Sequence, residues 1–158
     1  MATPIVSESG RQASEDESLF RALNPKHMEN GLPSERNFPM SRRQDPPGDG
    51  VSVGVSSRVS LSELRSIPAL VERCGVQFAV AELPASHALE PVRSLGISVT
   101  LKRAPEWGAF GHAHAVITGY QTWKDADGKR RLHEFQRHLT KLARKRFYSQ
   151  AADTPIEV

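Results

Sequence analysis

A chain of 158 residues, 38% hydrophobic and 25% charged, has room for one domain with a modest core, and no apolar run approaches the roughly 20 residues that span a bilayer. Its single cysteine, Cys74, excludes an intrachain disulfide and a thiolate zinc cage. The formal charge of +3 is unevenly placed: residues 1–20 hold four acids against one base, and residues 129–148 hold eight bases against one acid, Glu134, which points to an anionic partner for the C-terminal segment.

Residues 1–17 are polar and Ser/Glu-rich without apolar periodicity, which predicts a disordered acidic tail. The opening residues lack the basic and apolar regions of a secretory signal, so a cytoplasmic location is expected. Ser18 to Leu23 reads as a short strand closed by Asn24-Pro25. From Lys26 to Gly50, Pro33, Pro39, Pro46 and Pro47 forbid long regular structure, and loops of such length are functional or disordered. Val51-Ser52-Val53-Gly54-Val55-Ser56 alternates with period two, as a half-buried strand does. Ser60-Leu61-Ser62-Glu63 has capping-box spacing and predicts a helix, which Pro68 interrupts or restarts and Gly75 ends. Val76 to Leu83, Ile97 to Lys102 and Ala113 to Thr122 read as strands, and Asp125 to Gly128 as a turn. Lys129 to Tyr148 is the longest predicted helix, with Leu132, Phe135, Leu139, Leu142, Ala143 and Phe147 in one apolar stripe. The expectation is an α+β fold: a single domain over 18–148, one mostly antiparallel sheet of about five strands, the long C-terminal helix packed on it, and a flexible tail over 149–158.

Four segments carry a family pattern. Arg21-Ala22-Leu23-Asn24-Pro25-Lys26-His27 is an Arg-containing strand entering a His-Pro-type turn, with Asn24 in the histidine's place. Gly31-Leu32-Pro33-Ser34-Glu35-Arg36-Asn37-Phe38 follows a Gly-x-x-Ser-x-x-Phe-like element with one extra residue. Val51-Ser52-Val53 fits a Leu-Ser-Val-like strand, and His114-Ala115-Val116-Ile117-Thr118-Gly119 fits a Gly-His-Ala-x-Ile-x-Gly-like strand. In these the chain resembles a family of small uncharacterised bacterial proteins over about residues 19 to 148. The resemblance implies a unified domain and no particular reaction.

His112 and His114 would share one face of a strand, where two imidazoles can move a proton, contact phosphate or begin a metal site. A metal needs a third ligand, with His87, Glu106 or His133 nearest in sequence; none has diagnostic spacing, and no metal is assigned. The competing reading is a structural histidine at a strand end. Arg21, Ser34 and Arg36 place guanidinium groups beside a serine loop, a combination that holds phosphate or carboxylate. An ADP-ribosyltransferase would use Arg21 with Ser52 or Ser56 as its serine element, but no Glu-x-Glu or Gln-x-Glu follows. Two-histidine phosphoesterases need His-x-Thr/Ser strands, which are missing. Arg137, Lys141 and Arg144 on the basic helix suit phosphates, with only Trp123 and Tyr148 available for stacking.

Besides a non-catalytic module that binds nucleic acid or an acidic protein through its last helix, two functions are expected. One is binding of an anionic nucleic-acid or nucleotide ligand, with His114, Arg21 and Ser34 as candidate catalytic groups and Arg36, His112, Arg137, Lys141 and Arg144 as ligand contacts. In it the Lys26–Gly50 loop closes over the site. The other is a non-catalytic interaction subunit of a larger bacterial assembly. Candidate partners are nucleic acid or an acidic protein, and no membrane.

Overall fold

In the computed structural model, residues 5–7, 12–13, 17–39, 50–90, 98–101, 103–118 and 126–158 are described. Fifteen elements follow in chain order: β1 (Ile5–Ser7), β2 (Gln12–Ala13), β3 (Ser18–Leu23), β4 (Met28–Glu29), β5 (Leu32–Pro33), β6 (Val51–Val55), α1 (Leu61–Leu64), α2 (Pro68–Cys74), β7 (Ala79–Pro84), α3 (Ala85–Leu89), β8 (Ser98–Leu101), β9 (His114–Thr118), α4 (Ala126–Lys145), β10 (Arg146–Tyr148) and β11 (Ile156–Glu157). Among the described residues one sheet runs in the order β11-β10-β7-β3-β6-β9-β8-β1-β2, and β4 pairs with β5 in a separate hairpin. Every neighbour pair in the large sheet is antiparallel except β1 with β8. The fold is α+β, with a mostly antiparallel sheet and the long helix α4 packed on it.

The five strands legible in the sequence, β7, β3, β6, β9 and β8, are contiguous and form the middle of the sheet. The rest comes from segments read otherwise. Two short strands, β1 and β2, lie in the segment expected as an acidic tail. The predicted final helix stops at Lys145, and Arg146–Tyr148 becomes β10, so Phe147 is buried from a strand opposite Ala81. Residues 149–158 were expected as a flexible tail. They fold back so that β11 pairs with β10, and the Arg65 guanidinium clamps them there. Arg65 is buried; its Nη1 donates to the Ala152 carbonyl (2.7 Å), Nη2 to that of Ser149 (2.9 Å) and Nε to that of Phe78 (2.9 Å).

Period-two alternation divides the core into two layers. Leu19, Leu23, Val51, Val53, Val55, Ala81, Leu83, Ala115 and Ile117 join Leu132, Phe135, Leu139, Leu142 and Ala143 of α4 on one face. Phe20, Ala22 and Val80 face the other way, against Leu64, Ile67, Leu70, Cys74 and Trp107 from α1, α2 and the 3-10 segment Pro105–Ala113. Local chemistry fixes the α1/α2 layer. Ser60 Oγ accepts from the Glu63 amide (3.2 Å) and Glu63 Oε1 from the Ser60 amide (2.9 Å), which completes the capping box. Pro68 restarts a helix at its first turn, and Gly75 ends it at φ 92°, a backbone state that glycine adopts without strain.

Candidate functional site

Arg21 projects from β3 between Leu19 and Leu23, onto the α4 side of the sheet, and is 8% exposed. Its Nε donates to the Asn37 carbonyl (3.0 Å) and its Nη1 to the Ser52 carbonyl (2.9 Å), while Cζ lies 5.9 Å from the centroid of the Phe38 ring. Ser34 is buried beside it, and its hydroxyl donates to the His27 carbonyl (2.6 Å). Asn37 Nδ2 donates to the same carbonyl (2.9 Å), and its Oδ1 accepts from the Asn24 amide (2.8 Å). Asn24 Oδ1 caps the turn Pro25–His27 by accepting from the Lys26 amide (3.0 Å). Of the residues expected to grip an anion, Arg21 and Ser34 bond to main chain. Irregular backbone leaves carbonyls without ladder partners, and buried donors satisfy them.

The described part of the expected lid is fixed as well. Gln136 Nε2 on α4 donates to the carbonyls of Glu35 (2.9 Å) and Phe38 (3.0 Å), and Arg144 Nε donates to that of Pro33 (2.7 Å). Residues 26–39 are thus laced to α4. Residues 40–49 of the predicted loop lie outside the described residues. Arg36 is exposed on the turn Glu35–Asn37.

His114 opens β9 on the opposite face from Arg21. It is 7% exposed, its ring centroid lies 4.7 Å from that of Trp107, and its Nε2 is 2.7 Å from Ser52 Oγ. Register explains the meeting: β6 pairs with β9 so that Gly54 faces His114 and Ser52 faces Val116, leaving hydroxyl and imidazole on one diagonal of one face. Gly54 is part of that design. A Cβ there would stand 3.1–3.3 Å from side-chain atoms of Leu64, Val59 and Trp107, so these would have to yield by about a few tenths of an ångström.

Arg21 and Ser34 therefore share one layer, and His114 belongs to the other; the three do not meet in one pocket. His112 does not join His114 either. Two 3-10 turns, separated by a kink at Gly108 (φ 57°), fill Pro105–Ala113, and His112 is exposed on the second, donating Nδ1–H to the Ala109 carbonyl (3.1 Å). A shared face for the two histidines needs a strand running from residue 112, and β9 begins only at His114. Among the described residues no three His, Cys, Asp or Glu side chains gather as a metal site.

Helix α4 presents the charge. Opposite its buried stripe lie Lys129, Arg130, His133, Arg137, Lys141 and Lys145, all exposed, on a helix about 30 Å long. Arg130 pairs with Asp127 (3.8 Å) and Glu134 (3.9 Å), and Arg137 with Glu35 (3.6 Å). Such exposed pairs hold weakly. No acid among the described residues pairs with Lys129, Lys141 or Lys145. Tyr148 is buried, and Trp123 lies outside the described residues.

Three features had no clear sequence signal. Ser52 read as a small residue of an alternating strand and as a serine element beside Arg21, but its pairing with His114 depends on strand order. Arg65 belongs to no motif; burial lowers its pKa, and the nearby Asp153 carboxylate (3.7 Å) works the other way. The Tyr148 hydroxyl donates to Glu82 Oε1 (2.9 Å), and Arg146 joins Glu82 (3.1 Å) to Glu157. Burial, then the hydrogen bond to Glu82, raises the Tyr148 pKa above 10.0. Comparison with known proteins returns no relatives: no family model, no curated protein and no solved structure matches the chain. No helix among the described residues is long and apolar enough to cross a membrane.

Proposed function

We propose that this protein binds the phosphate backbone of a nucleic acid through the outer face of α4, without chemistry at Arg21 or Ser34. One observation carries the reading: a two-sided helix, its inner stripe buried in the core and its outer face lined with exposed cations that few acids offset. A rigid helix held by its apolar side keeps the spacing of those cations fixed, so bound phosphates displace condensed counterions without the helix having to fold. The exposed large apolar residues among those described are Leu32, Val76, Ile156 and Val158, all aliphatic. Recognition thus favours phosphates over base stacking. Arg137 and Lys141 stand one helical turn apart as the central contacts; Arg144, whose Nε is committed to Pro33, keeps its remaining donors for the flank.

The test is binding of labelled duplex DNA across a salt series. Affinity should fall steeply with salt, and Arg137→Glu or Lys141→Glu should weaken it about tenfold or more while flattening the salt slope by roughly one to two. Binding that ignores both reversals, or no binding at 20 mM salt, refutes the reading and turns the search to protein partners.

A further inference from the structure

We infer that Ser52 is a nucleophile activated by His114, on the sheet face opposite α4, and that it reacts with uncharged acyl esters. The 2.7 Å separation of Ser52 Oγ from His114 Nε2 is the reach a general base needs to take a hydroxyl proton. The two groups differ in exposure in the useful sense. His114 is buried with its ring against that of Trp107, whereas Ser52 is half-buried and keeps surface open to solvent.

The pair is not needed to hold the strands together. The β6–β9 ladder already makes the backbone pairing, and Ser52 caps no helix and closes no turn. A buried polar pair adds little to stability over two packed apolar side chains, so a serine and a histidine here ask for another reason. The wall around them selects the substrate. The apolar residues packed on this face include Phe20, Ala22, Trp107 and Ala113, and Ala22 and Phe20 lie on the strand beside β6. The buried cation among the described residues of this layer, Arg65, is committed to three main-chain carbonyls. Such walls repel carboxylate and phosphate and accept an ester with an apolar acyl group.

The chemistry balances without a further reactant. Ser52 Oγ forms a bond to the ester carbonyl carbon as its proton passes to Nε2 of neutral His114. The C–O bond to the alcohol then breaks, and the imidazolium returns the proton to the leaving oxygen, giving acyl-Ser52 and free alcohol. Water, deprotonated by the same nitrogen, hydrolyses the acyl-enzyme to the acid and restores the serine.

The experiment treats full-length protein with an alkyl fluorophosphonate and maps the adduct by peptide mass. A single adduct on Ser52 is expected, with fluoride lost, none in Ser52→Ala, and labelling at least 100-fold slower in His114→Gln with unchanged circular dichroism. Should His114→Gln not fold, Ser52→Cys decides: its thiol should react with iodoacetamide at pH 7 faster than glutathione does, because the imidazole draws off its proton. No adduct on Ser52 of folded protein, equal rates with and without His114, or a Ser52→Cys thiol no faster than glutathione each overturns the inference.

Discussion

Arg21, expected as a ligand contact, binds main-chain oxygen atoms in the folded protein. Its planar guanidinium reaches two carbonyls in different directions, those of Asn37 and Ser52, and so ties the irregular segment before residue 40 to the centre of the sheet. Removing it strands both acceptors. Arg21→Ala should lose about 2–4 kcal/mol of stability, read as a lower urea midpoint with an unchanged slope, and leave duplex affinity where it was. An unchanged midpoint would return Arg21 to the list of ligand contacts. Tyr148 makes a prediction of opposite kind. Its pKa is raised in the folded state, so the folded protein holds the phenolic proton more tightly than the unfolded chain does. The stabilisation is complete below the unfolded value near 10 and is lost as pH rises through the higher folded value. Stability should therefore fall through the strongly alkaline range, and Tyr148→Phe should fall less steeply there, measured by urea denaturation from pH 8 to 11.

At the scale of elements, local rules did well where the signal was local. The capping box at Ser60 is such a case: both reciprocal bonds form, and Ser60→Ala should cost about 1 kcal/mol in the same denaturation assay. A midpoint equal to the wild type would mean that packing of Leu64 alone holds α1. The core stripe of α4 and the alternation of β6 were legible for the same reason, since each rests on spacing within one segment. What was not legible depended on partners far along the chain. Arg146–Tyr148 has helical spacing with the residues before it, yet pairing with β7 and β11 takes it into the sheet. His112 and His114 read as one strand, yet a 3-10 turn after the kink at Gly108 uses up the first of them. The candidate site suffered most. The motif residues Arg21, Asn24 and Ser34 do meet, joined through Asn37, and Ser52 does meet His114. Which group faces which side, though, follows from register and strand order, and a shift of one residue exchanges the two faces.

For the whole molecule, the outer face of α4 sets stability against binding. Arg137, Lys141, Arg144 and Lys145 lie within about two turns of one another, and like charges at helical spacing repel by a few tenths of a kcal/mol per pair. A protein selected only for stability would intersperse acids there. Lys141→Glu would do so, since a carboxylate at 141 can pair with Arg137 one turn before it and with Lys145 one turn after it. The variant should gain about 0.5–1 kcal/mol at 20 mM salt, and the gain should shrink in 300 mM salt as the Debye length falls below the separation of the charges. The same substitution is expected to cost duplex affinity. Stability and affinity moving in opposite directions under one charge reversal is what a surface kept for an anionic partner requires, since its repulsion is relieved when that partner binds. If Lys141→Glu instead destabilises the protein at low salt, the cations of α4 are part of its own scaffold. The anionic partner would then have to be sought on another surface.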